Sequence, residues 1–414
     1  MSKPQMPATE RAPLPAAPRS GAPLPFRGAI GRVARPAAGA APKHVLHVFA
    51  SFGIGGVPLR MVRVFNYLGP RLRHSIIALD RNLAAAEGLA PELDVAFPAT
   101  GEEPRRLPRA LLDNIAALRR LRPDLLVTYN WGAIEWAMAN RLAAVARHIH
   151  IEAGFGKEEA DRQLRRRVWF RRWALARCDR VVVPSRKLAE LARTVWKLPA
   201  DRIALVPNGV DADRFADPAR AEIPGFALRE GEVVVGTVAP LRPEKNVARL
   251  VRAFADLDRS RAARLVIAGD GVERAKLTRL ADELAITERV VFTGRVAPEA
   301  VLGSFDVFAL SSDTEQMPNA LLEAMAASRA VAAVDVGDVR HILSDENRAF
   351  VVPRDDPAAF VAALESLLRE PARRAALGRQ NRRRVVDLFS QERMFAAYSA
   401  LFGLDVVAPA AERF

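Results

Sequence analysis

Thr314-Glu315-Gln316-Met317-Pro318-Asn319-Ala320-Leu321-Leu322-Glu323-Ala324-Met325 is the stretch on which the reading of this chain turns. It follows an apolar, strand-like run, Val307–Leu310, and a polar turn, Ser311-Ser312-Asp313. Pro318 suits the first turn of a helix, where its missing N–H loses no bond. Asn319 to Met325 then reads as helix, with Leu321, Leu322 and Met325 available to a core. Glu315 falls in the loop before this helix, and Glu323 falls inside it, at ~3.6 residues per turn. Between them lies a helix N-terminus, whose free N–H groups seat phosphate. Two carboxylates bracketing an anion seat suit a ligand with hydroxyls at both ends and phosphate in the middle, as in a sugar nucleotide. Taken alone, the two glutamates read as a surface loop and an ordinary helix; the surrounding chain reverses that.

Working outward, short apolar runs alternate with helical segments. Strands are expected at His44–Ala50, Ser75–Leu79, Asp124–Thr128, His148–Glu152 and Arg180–Val183. After the turn-rich junction Val206-Pro207-Asn208-Gly209-Val210-Asp211 a second series follows: Val233–Val238, Arg264–Ala268, Val290–Thr293, Val307–Leu310 and Ala330–Val334. Such alternation means parallel sheets covered on both faces. The break in the middle means two doubly wound, Rossmann-like α/β domains facing across a cleft. Residues 1–42, rich in Pro, Ala and Arg, read as a disordered tail. The first domain is expected over 43–206 and the second over 207–390. The last stretch reads as helices at Pro357–Leu368, Pro371–Phe389 and Gln391–Phe402.

Composition bounds the function. With 414 residues and half of them apolar, the chain can bury more than one core. Its formal net charge of +14 invites acidic partners: phosphorylated ligands, an anionic membrane surface or nucleic acid. A single cysteine, Cys178, rules out an intrachain disulfide and a multi-cysteine zinc site, and fits a reducing cytoplasm. No apolar run approaches the ~20 residues that span a bilayer, and residues 1–42 lack the continuous apolar core of a secretory signal. The expectation is a cytoplasmic protein, either free or peripheral on the inner face of a membrane.

Several loops after strands carry ligand chemistry. Gly53-Ile54-Gly55-Gly56 joins a strand to a helix, so backbone can approach a diphosphate closely. No Gly-Lys-Ser/Thr follows, so it is not a P-loop. Leu241-Arg242-Pro243-Glu244-Lys245-Asn246 follows the first strand of the second domain, placing Arg242 and Lys245 where phosphate oxygens bind. Gly269-Asp270-Gly271 and Gly294 also follow strands and are open to a ribose or base, although either is compatible with a plain turn.

This ordered set resembles the family 4 retaining glycosyltransferases of the GT-B fold over residues 43 to 402. Their signature, two glutamates separated by seven residues, is matched by Glu315-Gln316-Met317-Pro318-Asn319-Ala320-Leu321-Leu322-Glu323-Ala324. Arg242-Pro243-Glu244-Lys245-Asn246, Gly269-Asp270-Gly271 and Pro207-Asn208-Gly209-Val210-Asp211 match further motifs in order.

The resemblance implies a nucleotide-diphosphate sugar as donor substrate, no cofactor and no metal. It implies that Glu323 binds the donor ribose and Glu315 the transferred sugar, with Met317, Pro318 and Asn319 meeting sugar and phosphate through backbone. Lys245, with Arg242, neutralises the leaving diphosphate, and Gly55 and Gly56 meet it from the other domain. The helix near 391–404 crosses back to the N-terminal domain. The expected setting is polysaccharide or glycolipid assembly, with a saccharide or lipid-linked acceptor.

Two positions depart from the family pattern. Pro240 occupies a slot that is usually arginine, and Ala153 one that is often histidine. His150 and Glu152, alternating onto one strand face, are the nearby acceptor-side candidates. The segment Asp161–Arg177 mixes seven arginines with Val168, Trp169, Phe170 and Trp173. It reads either as a basic amphipathic helix on anionic lipid or as a helix packing its tryptophans inward. Nothing suggests base readout, so nucleic acid is not an expected partner.

Overall fold

Two parallel sheets, each buried on both faces, carry the structure. The computed structural model describes residues 42–99, 106–155, 157–159, 162–216, 231–258 and 262–404. The tail expected over 1–42 lies, Pro42 excepted, outside the described residues. The first sheet holds β1 (Lys43–Phe49), β2 (Leu72–Ala78), β3 (Asp94–Ala96), β4 (Leu125–Tyr129), β5 (Arg147–Ile151), β6 (Arg180–Val183) and β7 (Ile203–Leu205). Their spatial order is β3-β2-β1-β4-β5-β6-β7. The second sheet holds β8 (Val233–Val238), β9 (Ala263–Ala268), β10 (Val290–Gly294), β11 (Val307–Leu310), β12 (Ala330–Val334) and β13 (Val351–Val352), in the order β10-β9-β8-β11-β12-β13.

Burial on both faces explains why the strands read as unbroken apolar runs. On β1, Leu46 and Val48 pack with Leu118 and Trp136 on one face, while Val45 and Phe49 pack with Met61, Phe65 and Phe395 on the other. In both sheets the strand order reverses beside the first strand, at β1/β4 and at β8/β11. Ligands of doubly wound sheets bind at the carboxyl ends of strands at such a reversal. The loops after β1, β8 and β11 are those the sequence had singled out.

The sequence reading omitted three strands: β3, β7 and β13. Each is short and lies at a sheet edge. Edge strands need no continuous apolar run, because one side lacks a neighbour to bury them. The arginine-rich helix is also shorter than expected, Arg165–Leu175.

The chain crosses between the sheets twice. The segment around Val210 runs parallel to that around Ser390, with Val210 N–H donating to Phe389 O (2.9 Å) and Gln391 N–H donating to Val210 O (3.0 Å). Gly209 makes this approach feasible: a Cβ there would sit 2.7 Å from Gln391 Cα. After the second crossing, the helix Gln391–Leu401 packs on the helix Gly56–Leu68 of the first sheet's layer, with Phe395 stacked on Tyr67 at 4.5 Å.

Candidate active site

The loops after β8 and β11 are stitched together before any ligand is considered. Asp313 N–H donates to Glu244 O (2.9 Å), and Ser311 Oγ donates to Lys245 O (3.2 Å). Asn246 Nδ2 and Arg249 Nη2 both reach Asp313 Oδ1, at 3.0 and 2.8 Å. Asn246 takes a left-handed conformation (φ 39°) and caps the helix Val247–Ala255, a role asparagine tolerates well. This frame sets Lys245 Nζ 2.5 Å from Glu315 Oε1, which also accepts from Ser312 Oγ at 2.7 Å. The carboxylate and the ammonium expected at the reacting centre therefore form one pre-positioned unit.

The helix that follows runs Asn319–Ala326 and buries Leu321, Leu322, Ala324 and Met325. Pro318 sits at its N-cap rather than inside its first turn, and no side chain caps that end. Its amino end thus keeps an electropositive face toward the cleft. Glu323 has no side-chain hydrogen bond among the described residues. Burial raises its carboxyl above the usual range, against the opposing pull of Arg63 and Arg214.

Gly55, at the N-cap of Gly56–Leu68, also lacks a capping side chain. A Cβ on Gly56 would lie 3.7 Å from Asn319 Nδ2. Two uncapped helix ends, one from each sheet's layer, therefore meet at the same place. Gly269 is needed where the backbone of two loops nearly touches: at φ 148° its Cβ would fall 1.8 Å from Ala239 O.

The cleft has a volume of about 690 Å³. Of the candidates named from the sequence, its lining brings together Gly55, Gly56, Arg242, Lys245, Gly269, Glu315, Met317, Pro318, Asn319 and Glu323. Gly271 and Gly294 sit beside lining residues, Asp270 and Arg295, rather than among them. Among the described residues no three metal-ligating side chains converge. Sequence reasoning missed Arg60, which also lines the cleft, and named Asn208, another lining residue, only within the junction motif. Asn208 Nδ2 donates to both Met317 O and Asn319 Oδ1 at 2.9 Å, so the crossing segment clamps the loop that opens the Asn319–Ala326 helix.

Two family models match the chain. Residues 219–384 match the glycosyl transferases group 1 model, and residues 54–214 the glycosyltransferase family 4 model. A GDP-mannose-dependent alpha-mannosyltransferase of Mycolicibacterium smegmatis is 30% identical over 303 residues, 68% of this chain and 76% of the relative. A D-inositol 3-phosphate glycosyltransferase of Nocardia farcinica is 29% identical over 71% of each chain. The chain belongs to the family 4 glycosyltransferases. Among solved structures, sucrose-phosphate synthase from Thermosynechococcus elongatus superposes with a TM-score of 0.72 at 22% identity, covering 87% of this chain and 98% of the other. Anabaena Alr3699/HepE with UDP and glucose gives 0.71 at 16%, covering 87% and 99%. The fold is GT-B, and the protein is a glycosyltransferase.

On the other side of this glycosyltransferase's cleft, His150 of β5 and Glu152, just past its end, point the same way, with His150 Nε2 3.8 Å from Glu152 Oε2. Both are fully buried and neither lines the cleft. They lie under its floor, Ala153–Phe155, inside a polar chain. Cys178 Sγ contacts His148 Nδ1 (3.0 Å), and Thr128 Oγ1 bridges His148 Nε2 and His150 Nδ1 at 2.8 Å each. Glu152 Oε2 then lies 3.4 Å from Arg171 Nε, and Arg171 makes two 3.0 Å bonds to Glu159. Burial alone would raise the Glu159 carboxyl, but Arg171 and Arg167 hold it below the usual range.

Arg171 therefore faces inward, ringed by Trp131, Phe155 and Trp196 at about 5 Å. Arg167 pairs with Glu158 and Glu159, and Arg172 with Val195 O. What the arginine-rich helix and residues 162–164 before it leave outside is Leu164, Trp169, Arg162, Arg165, Arg166 and Arg172. No helix among the described residues is long and apolar enough to cross a membrane.

Proposed function

We propose that this glycosyltransferase moves a hexosyl group from a nucleoside-diphosphate sugar to an acceptor hydroxyl, retaining anomeric configuration. The observation that carries the reading is the Lys245–Glu315–Ser312 unit at the mouth of the Asn319–Ala326 helix, with Glu323 further along that helix and Gly55–Gly56 opposite. Glu323 takes the ribose hydroxyls, and Glu315 the hydroxyls of the transferred sugar. The bond from the anomeric carbon to the diphosphate oxygen breaks, and the bond to the acceptor oxygen forms on the same face. The acceptor proton passes to the departing phosphate oxygen. Negative charge grows on the leaving group, so Lys245, Arg242 and the two helix ends lower the barrier by facing it in advance. Bending at the paired crossings, Asn208–Asp211 and Phe389–Gln391, lets the cleft close and exclude water.

The names of similar proteins support a nucleotide sugar: a GDP-mannose-dependent enzyme among the relatives, and structures with UDP or UDP-glucose among the neighbours. A second reading, a protein that binds a nucleotide sugar without turnover, is favoured by Pro240 and Ala153, which both line the cleft. One experiment separates them. Incubation with UDP- and GDP-hexoses and a panel of saccharide acceptors releases nucleoside diphosphate only if sugar is transferred, and proton NMR of the product reads the anomer. Donor binding without release would replace transfer by sensing; an inverted product would remove retention. A lipid-linked acceptor would explain the outward Leu164 and Trp169 among exposed arginines. Co-sedimentation with phosphatidylglycerol vesicles that survives Trp169→Ala would refute that role for the patch.

A further inference from the structure

The cleft has a charge problem. Among the described residues its lining carries four basic and four acidic side chains. Lys245 is already occupied at 2.5 Å by Glu315. A nucleoside diphosphate brings at least two further negative charges. Arg60 is the buried cation of this lining, and among the described residues no carboxylate holds it.

Arg60 lies one turn into the helix Gly56–Leu68, on its inward face with Val64 and Leu68. It is 4% exposed, yet lines the cleft. Among the described residues no carboxylate pairs with it, and its Nε has no hydrogen-bond partner. A buried guanidinium left in that state is costly unless something completes it. Its one bond, from Nη1 to Asn208 Oδ1, fixes its direction. The same Asn208 grips Met317 O and Asn319 Oδ1, at the uncapped end of the donor-side helix. Arg60 is thus tethered where the two helix ends face each other.

We infer that Arg60 is a catalytic residue of the donor site, binding the leaving diphosphate from the opposite domain and supplying the charge that Lys245 shares with Glu315. This rests on the nucleotide-diphosphate reading above. It also fits the chain's own sequence: Pro240, exposed in the cleft wall, cannot bind phosphate.

Isothermal titration of the full chain with UDP, UMP, GDP and GMP tests it, in wild type, Arg60→Gln, Arg60→Lys and Asn208→Ala. The nucleotide that binds wild type sets the base. Arg60→Gln is expected to weaken the diphosphate roughly 10- to 100-fold and the monophosphate by only a few-fold, since the charged bonds lost are to the distal phosphate. Arg60→Lys should retain much of the preference for diphosphate over monophosphate, and covers the case in which glutamine impairs folding. Asn208→Ala should retain more of that preference than Arg60→Gln. An unchanged preference in Arg60→Gln would overturn the assignment. So would an Asn208→Ala protein that loses the preference equally, because Arg60 would then act only by holding Asn208. Wild type binding neither diphosphate is a different failure: it would remove the donor reading and this inference with it.

Discussion

Asp338 joins the two halves of the cleft without touching it, and its removal should loosen their closure. The helix Arg186–Thr194, in the first sheet's layer, has its third amide capped by its own Ser185 Oγ (Leu188 N–H, 3.1 Å). Its first two amides are capped from the other layer: Arg186 N–H to Asp338 Oδ2 at 2.5 Å and Lys187 N–H to Asp338 Oδ1 at 3.0 Å. Asp338 N–H in turn donates to Gln316 O (3.2 Å), and Ser185 Oγ donates to Gln316 Oε1 (3.1 Å). Gln316 is the neighbour of Glu315, so the latch is one residue from the reacting centre. A cap is worth ~0.5–2 kcal/mol, and a charge at a partly buried helix end up to ~2 kcal/mol. Because both groups regain water when the domains part, Asp338→Ala should shift the open–closed balance by about 2–3 kcal/mol, roughly 30- to 150-fold. If the closed form is the one that holds donor, apparent affinity for UDP or GDP falls by up to the same factor. Small-angle scattering should show a larger radius of gyration for the variant, partly reversed by nucleotide, with Asp338→Asn intermediate. A folded Asp338→Ala protein with unchanged scattering and nucleotide affinity within twofold of wild type would refute the latch. A lowered melting temperature with unchanged scattering would make Asp338 a local cap only.

Three further outcomes follow from the same geometry. Burial raises the Glu323 carboxyl, and ribose hydroxyls need its ionised form, so nucleotide affinity should fall as the pH is lowered; in Glu323→Gln, affinity should be ~10-fold or more weaker by calorimetry and should lose that part of the pH dependence. His74 is pushed down to about 4 and His148 to about 3, each mainly by burial and then by a neighbouring histidine. The unfolded chain takes up these protons near 6.5 while the native one does not, so stability is full above that pH and declines below it. Urea titrations at pH 7 and pH 5 should differ by about 3–4 kcal/mol from this pair, and equal midpoints would contradict their neutral burial. Arg171→Met strands Glu152 without its cation, leaves Glu159 with Arg167 alone, and should cost about 3–5 kcal/mol in urea. Adding Glu152→Gln and Glu159→Gln should recover part of that loss, and no recovery would show that Arg171 matters through its aromatic ring of contacts instead.

What could be read from the sequence was whatever a few consecutive residues decide. Interior strands such as β8 and β11 are apolar on both faces, so they stand out as runs. The motifs at their ends are short because a single loop presents them. β3, β7 and β13 have one unpaired edge and only two or three residues each, too few for any period to register. Asp338 and Gln316 carried no local sign, since their partners lie about 130 to 150 residues away in the chain. His150 and Glu152 were placed on the correct face, but alternation along a strand cannot say whether that face meets the cleft or the layer beneath it.

Arg60 is the instructive intermediate. Its spacing to Val64 and Leu68 marks an inward-facing position of an amphipathic helix, and a charged residue there contradicts the pattern around it. Such a contradiction needs a compensating partner, and the described residues supply Arg60 with a single amide oxygen. A basic side chain at an inward helical position, one turn after a glycine pair that opens the helix, is therefore a signal in its own right. It points to an anion that the fold alone does not provide.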